Sequence, residues 1–187
     1  FNPPQAYRDL FDPAQMPGPY FRESDIAQQT KLAAIDFQSK VRPPDDLDIK
    51  SPVLPASPLN PDWLGYETAG KRDAWTLQAA YYAMIKLIDD QLGRILDALE
   101  DSGQRKNTVI IFTSDHGETL GDHGLIEKGC RFYEGLVRVP LIWSWPGRFV
   151  EGLRSAALVE LTDKAPTLLE LAGQRPPTHM QGRSLLP

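Results

Sequence analysis

Thr108-Val-Ile-Ile-Phe-Thr113-Ser-Asp-His-Gly117 is the stretch on which the reading of this chain turns. Its first six residues form a short, continuous, apolar run rich in β-branched side chains, the pattern of a buried parallel strand covered on both faces. The next four are polar and end on glycine. In open α/β sheets, sites gather past the carboxyl ends of strands, where loops are rigidly held yet reach solvent. Asp115 brings a hard anionic oxygen there and His116 an imidazole nitrogen, both ligands for a divalent cation. Adjacent side chains reach one ion only where the chain has left the pleat. Gly117 permits that bend. A solvated turn carrying a surface histidine is the competing reading of these four residues taken alone.

Working downstream, Gly121-Asp-His-Gly124 is a second polar turn, and Lys128 lies twelve residues after His116. A lysine so placed delivers an ammonium to an anionic ester oxygen held beside a metal. Its plainer reading is an exposed loop charge. His123 is expected in a surface role, with a place near the site entrance as the alternative, His179 in a loop, and Cys130 as a loop or packing residue. The chain returns to the sheet at Val139-Pro-Leu-Ile-Trp-Ser144, a second strand-like run; Ala156-Ala-Leu-Val-Glu160 is a weaker third. Thr162-Asp163 then caps a helix through Leu171, with Pro166 in its first turn and Gly173 as its stop.

Upstream, Ile85, Ile88, Leu92, Ile95, Leu96 and Leu99 recur at helical spacing, which predicts an amphipathic helix from about Asp73 to Glu100 ending near Ser102-Gly103. A weaker helix is expected over 24–40, with Ser24 as N-cap. Prolines at 3, 4, 13, 17 and 19 forbid a long helix in the first 22 residues, which read as an ordered wrapping loop. The proline-rich stretch 43–61 reads as an irregular excursion. Helix, strand, loop, strand and helix in this order favour a layered α/β sheet.

Bulk properties bound the partners. The 187 residues suffice for one domain core, and 20 Lys+Arg against 25 Asp+Glu leave a net charge of −5, without the basic face of a general nucleic-acid binder. No apolar run reaches the length of a membrane span. The single cysteine, Cys130, excludes an intrachain disulfide and leaves the compartment undetermined.

The segment Asn107–Pro146, with Thr113-Ser-Asp-His-Gly-Glu118, Gly121-Asp-His-Gly124, Lys128, Tyr133-Glu134 and Arg138-Val-Pro-Leu141, resembles the sulfatase family of the alkaline-phosphatase-like superfamily. The likeness extends to Tyr81–Asp90 before the strand, to Leu161–Leu169 and Met180–Leu186 after it, and to Pro3-Pro4 and Asp12-Pro13. It implies an α/β fold with an alkaline-phosphatase-like layered sheet, mixed or mostly parallel, flanked by helices and incomplete in this chain. It implies one partial domain, the C-terminal portion of a sulfatase catalytic domain. Residues 1–72 would be its Pro-rich wrapping segment and 73–187 a helix–strand core with a metal half-site.

The resemblance also implies hydrolysis of a sulfate ester, on a small molecule or a saccharide, with Asp115 and His116 as metal ligands. Lys128 would be the catalytic and substrate-binding contact to the sulfate oxygens. The implied metal is divalent, calcium first, with manganese or magnesium as alternatives. Many members carry Asp-Asn at the metal pair; Asp-His occurs in other sulfatases and in phosphonate monoester hydrolases, which keeps a phosphonate or phosphodiester hydrolase open. A non-catalytic binding module with this fold is the third alternative.

The family nucleophile is a formylglycine made in a Cys-x-Pro-x-Arg motif, and none occurs here; Cys130 is followed by Arg131, Phe132, Tyr133 and Glu134. The formylglycine, the acidic ligands of the family's first strand and its upstream histidine are expected outside these residues. The piece is accordingly expected to be inactive alone, and to self-associate through uncovered edge and apolar surface.

Overall fold

A computed structural model describes residues 3–31, 41–47 and 73–186. The far end of the helix expected over 24–40 and most of the proline-rich stretch 43–61 lie outside the described residues. Among the described residues the elements run α1 (Gln5–Arg8), α2 (Glu23–Thr30), α3 (Ala74–Asp101), β1 (Ile110–Thr113), α4 (Glu134–Val137), β2 (Leu141–Ser144) and α5 (Lys164–Leu171). β1 and β2 are hydrogen-bonded neighbours in a two-stranded sheet. The chain divides into two compact units, Phe1–Trp143 and Ser144–Pro187.

In the first unit, α3 is the scaffold. Asp73 caps it, its carboxylate accepting the Thr76 N–H at 2.8 Å. The 28 residues that follow are rich in strong helix formers, and the helix stops at Ser102-Gly103, where Gly103 N–H reaches the Glu100 carbonyl. Its first turns carry the burial: Ala74, Gln78, Ala79 and Ala83 are enclosed. The N-terminal segment lies against these turns. Gly18 N–H donates to Gln78 Oε1 at 3.1 Å, and the rings of Phe11 and Tyr82 stack with centroids 6.0 Å apart. As the prolines require, this segment holds only the single turn of α1 and a 3₁₀ turn at Pro13–Gln15.

Two sequence expectations change here. The stripe of Ile85, Ile88 and Ile95 is about half exposed, at 47, 54 and 58%. Its periodicity specifies a buried face, yet these three side chains are exposed. Likewise all four residues of β1 are half-buried rather than enclosed on both faces. A two-stranded sheet leaves too little neighbouring structure to cover it.

In the second unit, the 3₁₀ turn Leu161–Asp163 leads directly into α5, with Pro166 buried in the first turn as the sequence predicts. Asp163 is the hub. One carboxylate oxygen accepts the Glu160 N–H at 3.0 Å and the other the Arg183 N–H at 2.9 Å. Thr167 Oγ1 donates to the Asp163 carbonyl at 2.6 Å and accepts the Leu185 N–H at 2.9 Å. The segments 161–169 and 180–186, far apart in sequence, are thus laced together by two buried side chains. Residues 156–160 do not form the expected third strand; they are exposed, Leu158 at 91%. A strand needs a paired edge to satisfy its backbone, and none is offered to this run among the described residues.

Candidate functional site

The chain leaves β1 at Thr113 and turns at once. Ser114 Oγ donates to the His116 carbonyl at 2.7 Å, and the His116 N–H donates to Asp115 Oδ1 at 2.9 Å. That N–H is the main reason the Asp115 carboxyl sits below the usual carboxylate range. The turn ends the alternation of the strand and brings the two neighbouring side chains to one side: His116 Nε2 lies 3.5 Å from Asp115 Oδ2. His116 Nδ1 hydrogen-bonds the Gly117 carbonyl at 2.7 Å, which leaves the Nε2 lone pair facing outward.

Gly117 is required by close packing. Its N–H donates to the Leu136 carbonyl at 2.8 Å and the Glu118 N–H to the Gly135 carbonyl at 3.1 Å. A Cβ on Gly117 would stand 1.8 Å from the Gly135 oxygen. The turn that carries Asp115 and His116 is therefore braced against the backbone of α4.

Lys128 returns to this point. Its Nζ donates to His116 Nε2 at 2.9 Å, and the side chain is exposed. The loop between them is anchored by Leu125, which is fully buried and contributes roughly 2 kcal/mol of apolar burial. It carries Leu120 (φ +49°), His123 (φ +56°) and Glu127 (φ +63°), each a non-glycine residue in the left-handed region. Such backbone costs roughly 1–2 kcal/mol per residue and persists only where surrounding structure enforces it.

His123 differs from its expected surface role. Its ring stacks on Tyr133 with centroids 4.2 Å apart, and Nδ1 is 3.5 Å from a carboxylate oxygen of Asp25 in α2. Tyr133 in turn accepts a hydrogen bond from Gln29. His123 N–H meets the Tyr20 carbonyl at 2.7 Å, and Asp122 Oδ1 accepts the Tyr20 N–H at 2.7 Å. Asp25 and Tyr20 lie about a hundred residues away in sequence, so no local signal announced them. Glu118 was also missed. It is half-buried, and burial pushes its carboxyl above the usual range against the pull of backbone N–H donors from Thr119, Leu120 and Glu127. Cys130 is an exposed thiol.

The donor set fits a divalent cation in part. Two donors each about 2.1–2.4 Å from one ion lie roughly 3–3.5 Å apart, as Asp115 Oδ2 and His116 Nε2 do. Among the described residues no group of three His, Cys, Asp or Glu assembles, so Asp115 and His116 offer two donors with no third such residue beside them. A carboxylate, an imidazole nitrogen and an ammonium converging past a strand end define a candidate site for a cation with an oxyanion beside it.

Residues 12–174 match the sulfatase family model, and the chain belongs to the sulfatase family. It is 42% identical over 111 residues to an arylsulfatase of Clostridium perfringens, covering 58% of this chain and 23% of that protein. Among solved structures it resembles a phosphonate monoester hydrolase of Agrobacterium radiobacter, with TM-score 0.63 and 30% identity over 97% of this chain and 34% of the other. It also resembles BT4656 in complex with its substrate D-glucosamine-2-N,6-O-disulfate, with TM-score 0.54 and 41% identity over 59% of this chain and 23% of that one. The chain thus spans about a quarter to a third of the proteins it matches. No described helix is long and apolar enough to cross a membrane.

Proposed function

We propose that this chain is the C-terminal portion of the catalytic domain of a sulfatase that hydrolyses a sulfate ester in a metal-dependent reaction. In this reading Asp115 and His116 are two ligands of a divalent cation, calcium first, and Lys128 binds the sulfate oxygens. The observation that carries it is the convergence of Asp115 Oδ2 and Lys128 Nζ on His116 Nε2, at 3.5 and 2.9 Å, in a member of this family. In the same reading residues 1–72 are the Pro-rich leading part and 73–187 the helix- and strand-bearing part of one partial domain, whose layered sheet, mixed or mostly parallel, is completed outside these residues. The formylglycine nucleophile and the remaining ligands lie there too.

A divalent cation bound at the pair would neutralise charge on the ester and lower the pKa of the attacking hydroxyl. The chain's own residues do the rest. Asp115 and His116 fix the cation at the strand end, with the ring orientation set by the Gly117 carbonyl. Lys128, exposed and already within hydrogen-bond distance of the pair, places a positive charge where the oxyanion lies and stabilises the charge that grows on it. A saccharide sulfate is a fitting substrate class, since BT4656 takes a sulfated glucosamine.

Hydrolysis of a phosphonate monoester is the second reading. The Asp-His pair in place of Asp-Asn and the likeness to the Agrobacterium enzyme over 97% of the chain favour it. The test is the protein encoded upstream of and through this chain, assayed on paired aryl sulfate and phenylphosphonate esters. A Cys-x-Pro-x-Arg motif upstream and a preference for sulfate are expected, with Lys128→Ala lowering kcat/KM by about 10²–10³-fold. Absence of any nucleophile motif upstream, or full activity in that variant, would overturn it.

A further inference from the structure

The loop that leads from His116 to Lys128 closes on itself at two levels. Near its tip the Gly121 N–H donates to the Leu125 carbonyl at 2.8 Å, backbone to backbone. Beside Lys128 the closure is made by a side chain: Thr119 Oγ1 donates to the Glu127 carbonyl at 2.6 Å. Thr119 is 2% exposed, so this bond is shielded from water. A hydroxyl has a single proton to give, and Glu118 Oε1 is a more distant acceptor at 3.4 Å. The Thr119 N–H lies 3.0 Å from that same Glu118 oxygen and 3.4 Å from the Glu127 carbonyl, so the hydroxyl supplies the closer hold on Glu127.

What this bond holds is a peptide plane. The Glu127 carbonyl and the Lys128 N–H belong to one planar unit that also contains both Cα atoms, so restraining the oxygen restrains where the Lys128 Cα stands. The plane has a reason to turn. Glu127 lies at φ +63° and Gly129 at φ +56°, which leaves Lys128 between two left-handed residues, the first of them without glycine's tolerance for that conformation. Such a turn persists only where neighbouring structure enforces it. The enforcing hydroxyl sits three residues past His116, whose Nε2 the Lys128 ammonium meets at 2.9 Å. Thr119 is itself placed by backbone: the Glu118 N–H before it is bonded to the Gly135 carbonyl at 3.1 Å, and its own carbonyl accepts the Asp122 N–H at 2.8 Å.

We propose that Thr119 is a positioning residue for Lys128: its buried hydroxyl locks the Glu127–Lys128 peptide, so that the Lys128 ammonium stands at His116 Nε2. Thr119 acts through the backbone of Glu127. The place of the ammonium rests on the loop alone; its service to a sulfate oxygen rests on the reading of Lys128 as the oxyanion contact. Serine keeps the hydroxyl and so keeps the lock. Valine keeps the shape and the β-branch but loses the donor, and leaves the Glu127 carbonyl without its closer partner. Were the hydroxyl only satisfying itself inside the loop, its loss would lower stability and leave the lysine where it is.

The test uses the 187-residue chain, with the NMR nitrogen signal of His116 Nε2 as readout and inorganic sulfate as the probe. In Thr119→Val that signal is expected to move toward its position in Lys128→Ala, and Thr119→Val added to Lys128→Ala should shift it no further. Thr119→Ser should keep the signal of the unaltered chain. The Gly117 amide, bonded to the Leu136 carbonyl, should stay in place throughout and show that the turn is intact. The Lys128 response to sulfate should weaken about 3–10-fold in Thr119→Val and recover in Thr119→Ser. If Thr119→Val does not fold, Thr119→Ala, which also lacks the hydroxyl, decides by the same signal. An unshifted His116 signal in the deciding variant would overturn the lock, as would a Thr119→Ser chain that behaves like Thr119→Val. If Lys128 of the unaltered chain ignores sulfate, the oxyanion reading fails, while the His116 signal still decides the positioning role.

Discussion

Lys128 Nζ stands 2.9 Å from His116 Nε2, the nitrogen that the Nδ1 contact to the Gly117 carbonyl leaves free. The ammonium and a metal cation would therefore compete for one lone pair. In the proposed reading the lysine yields its imidazole contact to the cation and turns to an anion beside it.

Manganese(II) added to the chain is expected to broaden the signals of Asp115 and His116 and to release the Lys128 contact. With two protein ligands, the dissociation constant should be on the order of millimolar. Asp115→Ala should weaken it at least about tenfold. Broadening spread evenly over surface carboxylates, with none selective for this pair, would count against the half-site.

The chain by itself should release no sulfate from an aryl sulfate above the buffer rate, because no Cys-x-Pro-x-Arg motif lies within its 187 residues. Turnover by the purified chain, abolished in Asp115→Ala, would sink this expectation.

Glycine substitutions should separate site packing from helix propensity. Gly117→Ala drives a Cβ to 1.8 Å from the Gly135 oxygen and should cost about 3 kcal/mol, visible as a lower urea midpoint. Gly93→Ala, in α3 with nothing within 4 Å of the added carbon, should instead stabilise by about 1 kcal/mol. Equal effects of the two would show that the brace against α4 is not formed.

Acid should loosen the second unit through Asp163. Its carboxyl is held below the ordinary range first by the Glu160 N–H and then by the Arg183 N–H. A carboxyl with a depressed folded-state pKa stabilises fully above its unfolded value of about 3.9, and that stabilisation disappears as pH falls through the folded value. Amide protection at Glu160 and Arg183 is expected to fall below about pH 4. Asp163→Asn should lack this step; an unchanged acid transition in that variant would refute the assignment.

Self-association is expected through the uncovered stripe of α3, where Ile85, Ile88 and Ile95 are 47, 54 and 58% exposed. Sedimentation should show dilution-dependent mass, reduced when Ile88 and Ile95 are replaced by glutamate. A dilution-stable monomer would speak against it.

Sequence alone determined the parts whose causes are local. The ends of α3 follow from the Asp73 cap and the Ser102-Gly103 stop, the place of β1 from its apolar run, and the candidate metal pair from two donors beside a glycine. Periodicity, capping and turn chemistry act over a few residues, so they can be read there. Tertiary structure decided what depends on distant partners. His123 became a half-buried ring because Asp25 and Tyr133 enclose it, and Thr119 bonds the Glu127 carbonyl because the loop brings that residue back to it. It also left Ile85, Ile88 and Ile95 of α3 and the run at 156–160 exposed. A pattern states which face prefers burial; only the presence of a partner surface determines whether that face is buried.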